Sequence, residues 1–350
     1  MEQECLSTKV KSVRVPSYSE ARAKVLRLYR EPVSLGRGVR RKGVVKVLAK
    51  VDRIYSYVDK EVFGCVDRLM RPEELNEFYA EILALAGIRD YKDLFFRFKG
   101  LRKAFRRMWK TYRLRIKESI TPKEANDKGR EFVGRVISFL RRVRKDLDRL
   151  RVALEELRRV PCIDFTQPKI VVAGMPQVGK STLIRRVSTA KPEVSPFPFT
   201  TKEVILGHSK IDHLTLQFID TPGILDRPLK ELNRIERKAV TAIRFLADVL
   251  LFLIDPRESS YYSLNDQLGL LRNVQGLFPG ELILVLINKA DETPEERLRQ
   301  VMEEVRKVFD GEVYVVSALT GMNIDKVIEK VASHIKGKYL PILEKHRSEA

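Results

Sequence analysis

The chain has 350 residues, 44% hydrophobic and 33% charged, with 67 Lys+Arg against 47 Asp+Glu for a net charge of +20. That length suits two domains. No run of eighteen apolar residues occurs, and Met1-Glu-Gln-Glu-Cys5 lacks the basic start and apolar centre of a signal peptide, so the expectation is a soluble, cytoplasmic, monomeric chain without a membrane-spanning helix. Cys5, Cys65 and Cys162 are odd in number and without metal-ligand spacing, as in proteins of a reducing compartment.

The charge is lopsided. Residues 1–160 hold 41 Lys+Arg against 22 Asp+Glu, a net of +19, which leaves +1 for residues 161–350. Such asymmetry points to a polyanionic partner for the first half alone, with nucleic acid ahead of an acidic membrane surface.

Residues 1–16 carry little periodicity and read as an extended arm. Ser17-Tyr-Ser-Glu20 is a capping box that opens a helix through about Arg30. Val44, Leu48, Val51, Tyr55 and Val58 recur at helical spacing in a second helix. Pro72-Glu-Glu74 starts a third that stops near Gly87. Leu94, Phe98, Leu101, Phe105, Met108 and Tyr112 then step alternately by four and three. Thr121-Pro-Lys-Glu124, a capping box with proline at the first helical position, opens a further long helix. Its stripe runs through Phe132, Val136, Leu140, Val143, Leu147, Leu150, Leu154 and Leu157. Two adjacent heptad-like stripes joined by a short turn predict an antiparallel pair, and with the earlier helices an all-α bundle of coiled-coil character.

The opposite faces are basic. Between Asp93 and Glu118 stand Arg97, Lys99, Arg102, Lys103, Arg106, Arg107, Lys110, Arg113, Arg115 and Lys117, with no acid among them. Arg141, Arg142, Arg144 and Lys145 form a second cluster. Without acids at i,i+4 the helix repels itself unless counter-charge arrives from elsewhere, which favours phosphate-backbone binding. The candidates for RNA contact are Arg102, Lys103, Arg106, Arg107, Lys110, Arg113, Arg141, Arg142, Arg144 and Lys145. Trp109 among them is expected to pack half-buried rather than to stack on a base. No ribonucleoprotein sheet motif or GxxG clamp occurs, and basic helices suit recognition of folded RNA by shape.

Residues 1–160 are thus read as a helical domain, 161–168 as a linker, 169–337 as an α/β domain with a mostly parallel sheet, and 338–350 as a charged tail without a role. The α/β domain opens with the apolar strand Ile170–Ala173. Gly174 to Ser181 then fits G-x-x-x-x-G-K-S, the phosphate-binding P-loop. Its glycines let successive N–H groups face a bridging phosphate, and the following helix presents its positive end. The phosphate-binding set is Gly174, Met175, Pro176, Gln177, Val178, Gly179, Lys180, Ser181 and Thr182. Lys180 would reach the terminal phosphates and Ser181 would hold Mg²⁺.

Further motifs end later strands, where such sheets bind ligands. Asp220-Thr221-Pro222-Gly223 would hold Mg²⁺ through water at Asp220 and sense the γ-phosphate at the Gly223 N–H. Thr200 and Thr201 lie in the loop expected to cover a nucleotide, with Thr201 favoured as the second Mg²⁺ ligand. Asn288-Lys289-Ala290-Asp291 places a carboxylate, Asp291, that accepts the N1–H and exocyclic amine of guanine, which adenine does not offer. Asn288 would brace the phosphate loop and the Lys289 stem would cover the base. Ser317-Ala318-Leu319 would supply a backbone N–H to guanine O6. Five such motifs in order predict GTP and GDP as ligands.

These motifs resemble the TRAFAC GTPases of the Obg-related branch. Pro198-Phe-Thr-Thr-Lys-Glu-Val204, Gly223-Ile-Leu-Asp-Arg-Pro-Leu229, Asn233-Arg-Ile-Glu236 and Ala239-Val-Thr-Ala-Ile243 look like the nucleolar GTP-binding protein (Nog) family, in the short form that looks archaeal. The resemblance implies a GTPase assembly factor whose partners are ribosomal RNA and the large-subunit precursor. Two departures stand out. Gln177 replaces the asparagine that helps bind a stimulatory K⁺ in related GTPases, so a longer amide must serve or the K⁺ site is absent. Ile224 stands where small signalling GTPases carry a water-orienting glutamine, and an aliphatic side chain orients no water. Slow intrinsic hydrolysis follows, accelerated by K⁺, a backbone group or the ribosomal particle. Competing readings are a related GTPase acting on tRNA or elongating ribosomes, an RNA-binding scaffold with structural GTP, and a membrane-remodelling GTPase. His208 and His213 border a predicted hairpin as surface turn residues, and Tyr261-Tyr262 read as loop packing or a partner contact.

Overall fold

A computed structural model of the chain describes residues 10–36, 38–201, 203–211, 214–227 and 231–348. The chain divides into two compact units, one up to Arg158 and one from Arg159.

The first unit is helical. α1 (Tyr18–Arg30) starts at the expected capping box, with the Ser17 side chain accepting from the Glu20 N–H and Glu20 accepting from the Ser17 N–H. α2 (Lys42–Tyr57) passes into a π-helical turn at Val58–Phe63 and a 3₁₀ turn at Gly64–Arg68. The third helix differs from expectation. Pro72–Glu74 forms only a 3₁₀ turn, and α3 (Glu77–Leu85) begins later because the Asn76 side chain accepts from the Tyr79 N–H.

α4 (Tyr91–Glu118) and α5 (Pro122–Arg142) are the long pair, packed on each other and on α2, with α1 also against α5. The Arg41 guanidinium donates to the carbonyls of Lys117 and Ser119, satisfying groups left over at the end of α4. At Thr121 the capping box is half-formed: its hydroxyl accepts from the Glu124 N–H, but Glu124 accepts from Ile120 instead of the cap. The long second helix also breaks at Val143, and α6 (Arg144–Arg158) continues the apolar stripe. Arg141 and Lys145, four apart, and Arg142 and Lys145, three apart, repel along a continuous helix, and the break lies between them. Phe63, Phe98, Phe105 and Phe139 form the aromatic centre, with ring centroids 5.9–6.2 Å apart.

The second unit is a seven-stranded sheet in the order β2-β3-β4-β1-β5-β6-β7. The strands are β1 (Lys169–Ala173), β2 (Glu193–Pro196), β3 (Glu203–Ile211), β4 (Leu214–Asp220), β5 (Val249–Ile254), β6 (Leu282–Ile287) and β7 (Glu312–Val315). β4, β1, β5, β6 and β7 pair in parallel, while β2 and β3 add an antiparallel edge, so the sheet is mixed. β1 and β5 are buried at every position, as expected of parallel strands covered on both faces. The helices are α7 (Lys180–Val187), α8 (Arg234–Arg244), α9 (Leu264–Leu277), α10 (Glu295–Arg306) and α11 (Ile324–Ser348). α11 runs through the stretch expected as a tail. His208 is not a turn residue but sits inside β3, opposite Gln217. His213 lies outside the described residues, as do Lys202, Pro228 and Leu229 of the motifs above.

Candidate nucleotide pocket and cationic face

The pocket lies at the C-terminal ends of β1, β4, β5 and β6. After β1 the backbone enters left-handed conformations at Gly174 (φ +135°) and Gly179 (φ +105°). A Cβ on Gly174 would stand 2.5 Å from the Leu253 carbonyl, and one on Gly179 would strike the Asn288 amide. Gln177 holds φ +66° with its side chain exposed. Met175 and Val178 are buried, Pro176 is half-buried and Thr182 is exposed.

Lys180 is buried, with Nζ donating to the Gly174 and Met175 carbonyls at 2.8 and 3.0 Å. Burial pulls its pKa down, against the pull of Asp220 and Asp226. Ser181 Oγ donates to Asp220 Oδ2 at 2.7 Å. Asp220 is fully buried, its pKa is raised by that burial, and its Oδ1 has no hydrogen-bond partner among the described residues. A buried carboxylate oxygen with an unused lone pair beside a hydroxyl is a donor set suited to a hard divalent cation, so these residues fit Mg²⁺. Thr200 is half-buried and Thr201 exposed, beside Phe199 at φ +57°.

The segment after β4 is fastened to the phosphate loop. The buried Thr221 donates to the Val172 carbonyl at 3.4 Å, and the Gly174 N–H donates to the Leu225 carbonyl at 3.2 Å. Pro222 is half-buried. The Gly223 N–H donates to Asp226 Oδ2 at 2.6 Å. Ile224 is fully buried, so its side chain points away from any water above the loop.

Asn288 ties three segments together. Its N–H donates to the Ile254 carbonyl, its Nδ2 to the Val178 carbonyl at 2.7 Å, and its Oδ1 accepts the Ala318 N–H at 2.8 Å. Lys289, at φ +60°, donates to the Gln177 carbonyl at 2.7 Å and to Asp255 Oδ2 at 2.6 Å. Burial pushes the Asp255 carboxyl up, but bonds from Arg257 and Lys289 bring it below the ordinary range. Asp291 is exposed on a 3₁₀ turn, Ser317 and Ala318 are buried, and Leu319 is exposed. The arrangement leaves the Asp291 carboxylate exposed, two residues beyond Lys289 and its bonds.

The cationic face is narrower than the sequence implied. α4 lacks acids along its own length, but its neighbours supply them. Arg102 pairs with Asp59 at 2.9 Å and also with Asp67, Arg106 reaches Asp59 at 3.8 Å, and Arg113 reaches Asp52 at 3.2 Å. Arg97 pairs with the buried Asp146 at 3.0 Å. Trp109 stacks on Tyr55 with centroids 4.0 Å apart and donates Nε1 to Asp52 at 2.8 Å. Self-repulsion is therefore relieved in part within the chain: Arg102 is largely enclosed by its two acids, whereas Arg106 and Arg113 stay exposed beside theirs. Lys103, Arg107, Lys110, Arg141, Arg142, Arg144 and Lys145 are exposed and enter none of these ion pairs.

Residues 169–289 match the family model of the 50S ribosome-binding GTPases, and residues 30–164 match that of the NOG1 N-terminal helical domain. The two models meet in one chain, the helical domain first, and a protein of Methanocaldococcus jannaschii is 37% identical across 71% of this chain, with 70% of that protein covered. The chain belongs to the nucleolar GTP-binding protein 1 family. Nucleolar GTP-binding protein 1 of Saccharomyces cerevisiae is 33% identical over 218 residues, which cover 60% of this chain and 34% of the yeast protein. The chain thus spans about a third of that curated relative. A crystal structure assigned to nucleolar GTP-binding protein 1 of Plasmodium falciparum superposes with a TM-score of 0.44 at 24% identity, over 54% of this chain and 97% of that one. Among the described residues no helix is long and apolar enough to cross a membrane.

Several residues that support the candidate pocket from behind gave no sequence signal. Asp226 reaches back to Gly223 through a turn whose shape is set by Thr221. Asp255 directly follows β5 and belongs to none of the motifs, yet it anchors Lys289 and Arg257. Gln267 is buried and bonds to the Asp255 N–H and carbonyl at 2.8 and 3.0 Å, which one glutamine in an amphipathic helix does not announce. Tyr261 is exposed and meets Tyr262 edge-on at 5.0 Å, within the loop.

Proposed function

We propose that this chain binds GTP and GDP with Mg²⁺, hydrolyses GTP slowly, and holds ribosomal RNA of a large-subunit precursor on its helical unit. The observation that carries the nucleotide reading is the tie of Asn288 to both the phosphate loop and the Ser317–Ala318 loop, which holds the two halves of a guanine pocket in one register. Asp291 is the guanine-selecting carboxylate. Lys180 exchanges its two carbonyl partners for the β- and γ-phosphate oxygens. Ser181, Asp220 and, once its loop moves in, Thr201 would hold Mg²⁺, which neutralises charge on the phosphates when bound. The reaction is in-line attack of water on the γ-phosphate, and with Ile224 buried no side chain at that position orients the water. Slow turnover in isolation follows.

The RNA reading rests on the seven exposed cations Lys103, Arg107, Lys110, Arg141, Arg142, Arg144 and Lys145, whose charge neighbouring acids do not offset. If all seven meet phosphates, the logarithm of affinity should fall with the logarithm of salt concentration at a slope of about −5 to −6. Filter binding to large-subunit precursor RNA from 50 to 200 mM salt, with GDP and with a non-hydrolysable GTP analogue, tests this. A slope near zero, or equal binding to tRNA, counts against the assignment.

A further inference from the structure

Asp226 is only 8% exposed, and its carboxylate holds the Gly223 N–H at 2.6 Å. That N–H is the donor through which the proposed pocket would sense a third phosphate. The backbone around it leaves little room for a second donor. The Ile224 and Leu225 N–H groups both turn back to the Thr221 carbonyl, at 3.1 and 3.4 Å, and the Leu225 carbonyl is held by the Gly174 N–H. Arg227, the adjacent cation, is engaged by Glu236 at 2.6 Å and does not neutralise Asp226.

We propose that Asp226 is an internal stand-in for the γ-phosphate: its carboxylate competes with the third phosphate of GTP for the Gly223 N–H and biases the pocket toward GDP. The inference rests on the guanine-nucleotide reading above. One N–H makes a short, full-strength bond to only one anion at a time, and two anions sharing it also repel in a buried site. A diphosphate has no group at that position and leaves the bond intact. GTP must therefore expel Asp226, and the segment 221–226, tied to the phosphate loop at Gly174, moves with it.

The test is titration of the full chain and of Asp226→Asn and Asp226→Ala with GDP and with GMPPNP, each with Mg²⁺, alongside thermal unfolding. The expected result is GDP affinity near wild type and GMPPNP affinity raised on the order of tenfold relative to GDP, more for Ala than for Asn, the scale of one hydrogen bond to a charged group. Asn keeps the shape of Asp and serves if Ala unfolds. An unchanged or lowered GMPPNP to GDP ratio with normal GDP binding overturns the Asp226 inference and leaves the guanine reading standing. Loss of GDP binding at an unchanged unfolding temperature also overturns it, making Asp226 a general strut of the pocket. A wild-type chain that binds neither nucleotide overturns the guanine reading and the inference with it.

Discussion

Single residues in this chain act through backbone geometry and burial more than through side-chain chemistry. Gly179 is the sharpest case, because φ +105° and the Asn288 amide leave no room for a Cβ. Gly179→Ala should displace Asn288 from the Val178 carbonyl, lower GDP affinity at least tenfold and cost about 1–3 kcal/mol of stability, measured by fluorescence titration and urea unfolding. Cys65 shows the effect of burial alone. It is fully buried, donates to the Val62 carbonyl at 3.1 Å, and desolvation pushes its thiol from 9.0 to about 12. The folded thiol holds its proton more tightly than the unfolded one. Its contribution to stability is therefore complete below about pH 9 and declines as pH rises toward 12, by at most about 1.4 kcal/mol per pH unit. Unfolding free energies of wild type and Cys65→Ala compared between pH 8 and 10 should differ in slope in that direction.

At the level of whole elements, the helices divide their cations into two kinds. Asp59, buried on the π-helical turn after α2, is held by Arg102 from α4, and removing that arginine strands a buried carboxylate. Arg102→Ala should cost about 3 kcal/mol or somewhat less, since Arg106 remains nearby at 3.8 Å. The triple change Lys103→Ala, Arg107→Ala and Lys110→Ala should leave the helical unit within about 0.5 kcal/mol of wild type while weakening RNA binding. Circular dichroism during urea unfolding, read with filter binding, separates the two outcomes. Equal destabilisation by both would show that the exposed cations are packing residues as well. The stripe from Phe132 to Leu157 was legible as a helix, but its break at Val143 was not, since no proline or glycine marks it and the apolar spacing runs on through it.

For the molecule as a whole, closure depends on groups far apart in sequence. Lys169 at the start of β1, Asp248 before β5 and Tyr339 on α11 form a buried network: Lys169 Nζ lies 2.9 Å from Asp248 Oδ2 and 2.8 Å from the Tyr339 hydroxyl, which in turn donates to Asp248. Burial and the neighbouring Asp248 carboxylate raise the Tyr339 hydroxyl far above its ordinary pKa. Asp248→Ala takes the carboxylate away from a buried ammonium and should cost about 3 kcal/mol in the unfolding of the α/β unit, whereas Tyr339→Phe should cost about 1–3 kcal/mol.

Periodicity and short motifs carried the two-part architecture and the run of motifs that gathers at the candidate pocket, because each of those depends on neighbours a few positions away. Which arginines of α4 are spent inside the fold, that Asp226 holds the Gly223 N–H, and that α11 extends past Gly337 to meet the base of the sheet depend on partners supplied by other elements. Charge counted along a helix cannot register an acid that arrives from across the bundle. Pairing of that kind is set by how the elements pack, so it becomes visible only once the chain has folded.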